Sequence, residues 1–101
     1  MGRILIDLID DIELIIINIF QTGIKSVSEE MLSEMEVLVK QSEMLSLSYI
    51  STELQNLHKL LLKSKYESEF NYDEIAKKIA ILSQSIMIIK KKINYDLTGG
   101  Y

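Results

Sequence analysis

The sequence predicts an all-α protein, a small antiparallel four-helix bundle, and three observations carry that prediction. The first is the apolar ladder Ile75, Ile79, Leu82, Ile86, Ile89 and Ile93. Its steps of four and three residues trace one face of an α-helix packed against other helices. The second is punctuation. The chain has no proline, and Gly23 is the only glycine between residues 3 and 98, so the two strongest helix breakers are nearly missing. The third is that no stretch reads clearly as a strand.

A first helix is expected over residues 4–21. Leu5, Ile9, Ile12, Ile16 and Ile19 form its seam, widened by Leu8 and Ile15, with Asp7, Asp10 and Asp11 opposite. Those aspartates lie near the positive end of the helix, which favours carboxylates. Ile6, Leu14 and Ile17 add apolar surface outside the seam, so this helix is expected to be buried on more than one side. Gly23 follows, where a left-handed C-terminal cap is expected.

Ser26 and Ser28 both offer an N-cap for the second helix, and Ser26 with Glu29 has capping-box spacing. The second helix carries Met31, Met35, Leu38 and Leu45, with Leu32 and Val39 beside them. After residue 47 the seam becomes Leu47, Ile50, Leu54, Leu57 and Leu61. The step from Leu45 to Leu47 is two residues, where a continuous helical seam requires three or four. A turn is therefore expected near residues 46–51, with a third helix from 52 to 67 capped by Thr52 and Gln55. The alternative keeps residues 28–67 as one long central helix in a three-helix chain that dimerises. Asn71, with Glu74 at capping-box spacing, opens a fourth helix over 72–94, whose last turns carry Lys90, Lys91 and Lys92. Residues 1–96 form one domain in this reading, and 97–101 a flexible tail.

Composition narrows the function classes. With 101 residues and no cysteine, the chain is one domain without disulfides, thiolate metal sites or a cysteine nucleophile. This usage fits a cytoplasmic location. The net charge of −4 argues against general nucleic-acid binding. The charge is uneven: residues 1–50 hold three basic and nine acidic side chains, a balance of −6, and residues 51–101 hold eight and six, a balance of +2. Asp7, Asp10, Asp11 and Glu13 interrupt the apolar first helix, so no transmembrane segment is expected.

No chemistry-bearing constellation stands out. His58 is the only histidine, and the positions three or four residues away are Leu54, Gln55, Leu61 and Leu62, so the Glu-x-x-His pattern of di-iron bundles is missing. Glycine-rich phosphate loops and nucleophile elbows are missing too. No metal, cofactor or catalytic residue is expected, and the chain reads as non-enzymatic.

What the sequence does offer is surplus apolar surface. A self-contained bundle needs roughly three apolar positions per seven, and this chain has more. The candidate partner interface is Ile6, Leu14 and Ile17 on the first helix, Tyr66, Phe70 and Tyr72 at one pole, and Ile81, Met87, Ile88, Lys90, Lys91 and Lys92 on the last helix. In size, helix count and basic C-terminal end the chain resembles the small immunity proteins of bacteriocin producers. That resemblance is one of architecture and carries no residue role. The expected function is protein–protein binding as an inhibitor, immunity, antitoxin-like or chaperone/adaptor protein. The alternatives are a self-assembling structural subunit, hence a homo-oligomer, and a membrane-surface module built on the lysines of the last helix.

Overall fold

Four helices follow one another in an up-down-up-down course: α1 (Gly2–Thr22), α2 (Glu29–Met44), α3 (Ser48–Tyr66) and α4 (Tyr72–Leu97). A single 3₁₀ turn, Ile24–Ser26, lies between α1 and α2. The computed structural model describes residues 2–67 and 71–97, with side chains described at 3–67 and 71–93. Each helix packs on two others, α1 on α2 and α4, α3 on α2 and α4, and the diagonal pairs do not meet among the described residues. The result is a square bundle about 50 Å long and little more than 20 Å thick.

The predicted seams line its axis. Leu8, Ile9, Ile12, Ile15, Ile16 and Ile19 of α1 are buried with Leu32, Met35, Leu38 and Val39 of α2. Ile50, Leu54, Leu57 and Leu61 of α3 join Ile75, Ile79, Leu82 and Ile86 of α4 in the same core. Leu5, Leu47, Ile89 and Ile93 at the helix ends are partly buried against it.

The α2–α3 connection settles the long-rod alternative against itself. Ser46, at φ 61°, adopts the left-handed conformation. Its N–H donates to the Glu43 carbonyl (3.0 Å), and the Leu47 N–H donates to the Ser42 carbonyl (2.8 Å). These two bonds form a Schellman motif, with serine where glycine is usual. The turn is therefore tighter and earlier than the expected 46–51: α3 begins at Ser48, not 52, and the Thr52–Gln55 cap is not used. Glu53 consequently lies in the second turn of α3, where it is buried against α4 rather than serving a helix start.

The other ends depart from expectation in smaller ways. Gly23 does take a positive φ of 90°, but with ψ 149°, an extended conformation essentially reserved for glycine rather than the left-handed helical one. Ser28, not Ser26, caps α2, its Oγ accepting from the Met31 N–H at 3.1 Å. Val27 before the cap and Leu32 within the first turns are both buried, placed as a hydrophobic staple. Asn71 caps α4 as expected: its Oδ1 accepts from the Glu74 N–H at 3.1 Å. Helix α4 runs on through Leu97, and the expected tail otherwise lies outside the described residues. Lys90, Lys91 and Lys92 thus stand more than a turn before its end. Likewise α1 starts at Gly2, so no aspartate occupies its first turn. Dipole compensation does not explain either group.

Three outcomes follow from the packing and the turn. Ile86, 2% exposed at mid-seam, should cost about 2–5 kcal/mol on replacement by alanine, read by denaturant unfolding. At the turn, Ser46→Gly should stabilise the protein by about 0.5–1 kcal/mol, because a left-handed non-glycine residue carries a penalty of about 1–2 kcal/mol and glycine returns part of the gain through its looser unfolded state. Ser48→Pro should cost far less than the roughly 3 kcal/mol of a mid-helix proline, since residue 48 is the first residue of α3.

Candidate interaction surface

The polar contacts that set the helices in register also decide which faces remain open. Along α2, Glu29, Glu36 and Glu43 recur every seven residues and meet α3 in turn. The Tyr66 hydroxyl donates to Glu29, His58 Nε2 stands 3.5 Å from Glu36 Oε1, and the Ser51 hydroxyl donates to Glu43 at 3.2 Å. Lys65 Nζ adds a bond of 3.0 Å to the Val27 carbonyl. Between α3 and α4, Lys78 pairs with the buried Glu53 at 3.3 Å. Between α4 and α1, Lys90 reaches Glu13 at 2.9 Å and Asp10 at 3.5 Å.

These contacts sort the sequence-predicted interface residues. Lys90 is half-exposed and held by α1, so its charge is spent inside the chain. Ile6 and Ile81 are partly buried. Leu14, Ile17, Met87 and Ile88 stand out in solvent, with Ile88 67% exposed, and Lys91 and Lys92 are exposed beside them. Tyr66 and Tyr72 are exposed at one pole, Tyr66 tied to Glu29, and Tyr72 over a cleft that includes Leu60, Lys63 and Asn71. Phe70 lies outside the described residues.

The structure adds residues that sequence reasoning passed over. Val37 and Met44 on α2 are exposed, Met44 at 83%. They are seven residues apart, a heptad stripe outside the seam that the sequence did display. Val37 and Leu14 line one shallow groove of about 320 Å³ between α1 and α2 with Asp11 and Glu34. Met44 and Ile4 line its continuation, about 370 Å³, with Asp7. Asp11 and Gln41 belong to both, so the two form a single channel along the outside of the α1–α2 pair. On the far side of the α2–α3 turn, Tyr49 and Ile88 share a cleft with Leu47 and Ile89.

This arrangement suits burial of apolar surface with charges at the rim. Among the described residues no group of three or more histidine, aspartate or glutamate side chains is placed to hold a metal ion. No described helix is long and apolar enough to cross a membrane. Comparison with protein-family models, with curated proteins and with solved structures finds no match.

Two of the register contacts titrate at alkaline pH. The hydrogen bond to Glu13, with smaller attraction from Asp10, raises the Lys90 ammonium above its ordinary value against the opposing effect of burial. The hydrogen bond to Glu29, aided by burial, raises the Tyr66 phenol. In both cases the folded state favours the protonated form. The stabilisation is therefore complete below the ordinary values, near about pH 10, and is lost as pH rises through the folded values. Unfolding free energy should fall through that alkaline range, and the fall should be shallower in a Glu13→Gln, Tyr66→Phe double variant. Denaturant titrations at a series of pH values measure it.

Proposed function

We propose that this chain is a non-enzymatic cytoplasmic binding module that engages protein through the outer faces of its helices, in the manner of an inhibitor, immunity, antitoxin-like or adaptor protein. One observation carries this reading. The bundle closes its own core with the inner seams, and large apolar side chains are still left outside: Leu14, Ile17, Val37, Met44, Met87 and Ile88. Clustered exposed apolar groups mark interaction surfaces far more often than they serve a monomer. The channel between α1 and α2, with its apolar floor and charged edge, has the makings of a helix-in-groove site. A second reading, a self-assembling structural subunit, is favoured by the opposite charge balance of the two halves of the chain.

A photo-crosslinking residue placed at Leu14, Val37 or Ile88, in cells that make the protein, tests the reading. Discrete crosslinked protein species are expected from these positions, and none from the exposed, polar Ser33 on α2. Equal, background-level labelling at all four positions would show that the outer apolar faces bind no protein.

A further inference from the structure

We propose that the acid-edged channel between α1 and α2 receives the basic outer face of α4 from a second copy of this chain, in a head-to-tail contact. The inference rests on the reading above, that the outer helix faces bind protein, and it names the partner.

The channel is one half of the match. Its apolar lining includes Ile4, Leu14, Val37 and Met44, all exposed. Its charged lining is Asp7, Asp11 and Glu34, and no lysine or arginine lines it. None of these three carboxylates has an ion-pair partner among the described residues, in contrast to Asp10 and Glu13, which Lys90 neutralises. Such a channel favours an amphipathic helix of basic character.

The chain carries such a helix. Residues 75–95 contain five lysines and no carboxylate. Lys78 and Lys90 turn inward to Glu53, Glu13 and Asp10. Lys77, Lys91 and Lys92 are exposed and have no ion-pair partner among the described residues. Met87 and Ile88 stand exposed one turn before Lys91 and Lys92, so an apolar pair and a cationic pair share the outside of the helix. Seated in the channel, Met87 and Ile88 would meet its apolar lining, and the lysines its carboxylates.

The geometry also sets the symmetry. The channel lies between α1 and α2, whereas α4 sits between α1 and α3, with its outer face turned away from the bundle axis. The two surfaces point to different sides of one molecule. A copy that receives α4 in its channel therefore does not return the same contact to the same neighbour. The contact is heterologous and builds a ring or an open chain rather than a two-fold dimer.

Sedimentation of the full-length protein tests this with two charge-reversed variants, Asp11→Lys/Glu34→Lys in the channel and Lys91→Glu/Lys92→Glu on α4. The wild type should gain mass with concentration, and added salt should weaken its association. Each variant alone should associate roughly tenfold or more less tightly, with helical circular dichroism unchanged. Mixed in equal amounts they should associate again, because one variant keeps an intact α4 face and the other an intact channel, and the two reversed surfaces are themselves complementary in charge. Should a reversal cost helicity, Val37→Ser and Ile88→Ser, at exposed sites, take its place, each weakening wild-type association. A wild type that stays monomeric at every concentration, variants that assemble like the wild type, or a charge-reversed mixture that stays monomeric would overturn the proposal. Crosslinks from Leu14, Val37 or Ile88 to a different protein, with a monomeric wild type, would overturn the second copy as partner while keeping the binding reading. Silence in both experiments would remove both.

Discussion

The fold depends on one backbone event, the reversal at Ser46. Without it, residues 28–67 have the propensity to run on as a single helix, with no proline or glycine to stop them. The Schellman bonds from Ser46 and Leu47 satisfy two carbonyls at the end of α2 and turn the chain within three residues. They also fix how α3 lies against α2. Glu43 meets Ser51 beside the turn, Glu36 meets His58 one heptad further, and Glu29 meets Tyr66 at the far end. Each step of seven up α2 is matched by about seven down α3, so a register error at the turn would misplace every rung. The penalty of a left-handed serine is local, while the hairpin it creates is the most extensive helix pair in the bundle.

The remaining two helices close the square around that hairpin, and they do so mainly by shape. Helix α4, with 26 residues, is about 39 Å long against about 24 Å for the 16 residues of α2. It packs on α3 and on α1. Lys90, drawn to Asp10 and Glu13, tethers α4 to α1. A half-exposed ion pair contributes little to stability; the buried ladder from Ile75 to Ile86 sets the rotation of α4 about its own axis. That rotation places Met87, Ile88, Lys91 and Lys92 outward.

The inner architecture was legible because burial imposes a period. Every residue of the α4 ladder from Ile75 to Ile86 is buried, and the two-residue slip between Leu45 and Leu47 located the turn. What escaped was decided by forces with no period. Serine at a left-handed cap leaves no sequence mark to match that of glycine, so the turn was placed late and the start of α3 was assigned to Thr52 and Gln55 instead of to Ser48. Val37 and Met44 escaped for another reason. Their stripe is real, but exposure depends on where the neighbouring helices stop. That is a tertiary fact the local pattern does not carry.

The acidic cluster of α1 shows how one short segment serves both the fold and its surface. Asp7 and Asp11 are four residues apart, and Asp10 and Glu13 are three apart, so the members of each pair are neighbours on the helix surface. Asp10 and Glu13 meet Lys90 and help hold α4 in place. Asp7 and Asp11 edge the channel toward α2 and meet no cation among the described residues. The split extends to the apolar residues. Ile9 and Ile12 have the core to lose, whereas Leu14 has mostly solvent beside it. Substitution of an exposed residue such as Leu14 or Asp11 changes stability by about 0.5 kcal/mol or less in the ordinary case. The residues that hold the bundle together and those that face outward are thus nearly separate sets on the same helix, and the outward set can change without loss of the fold.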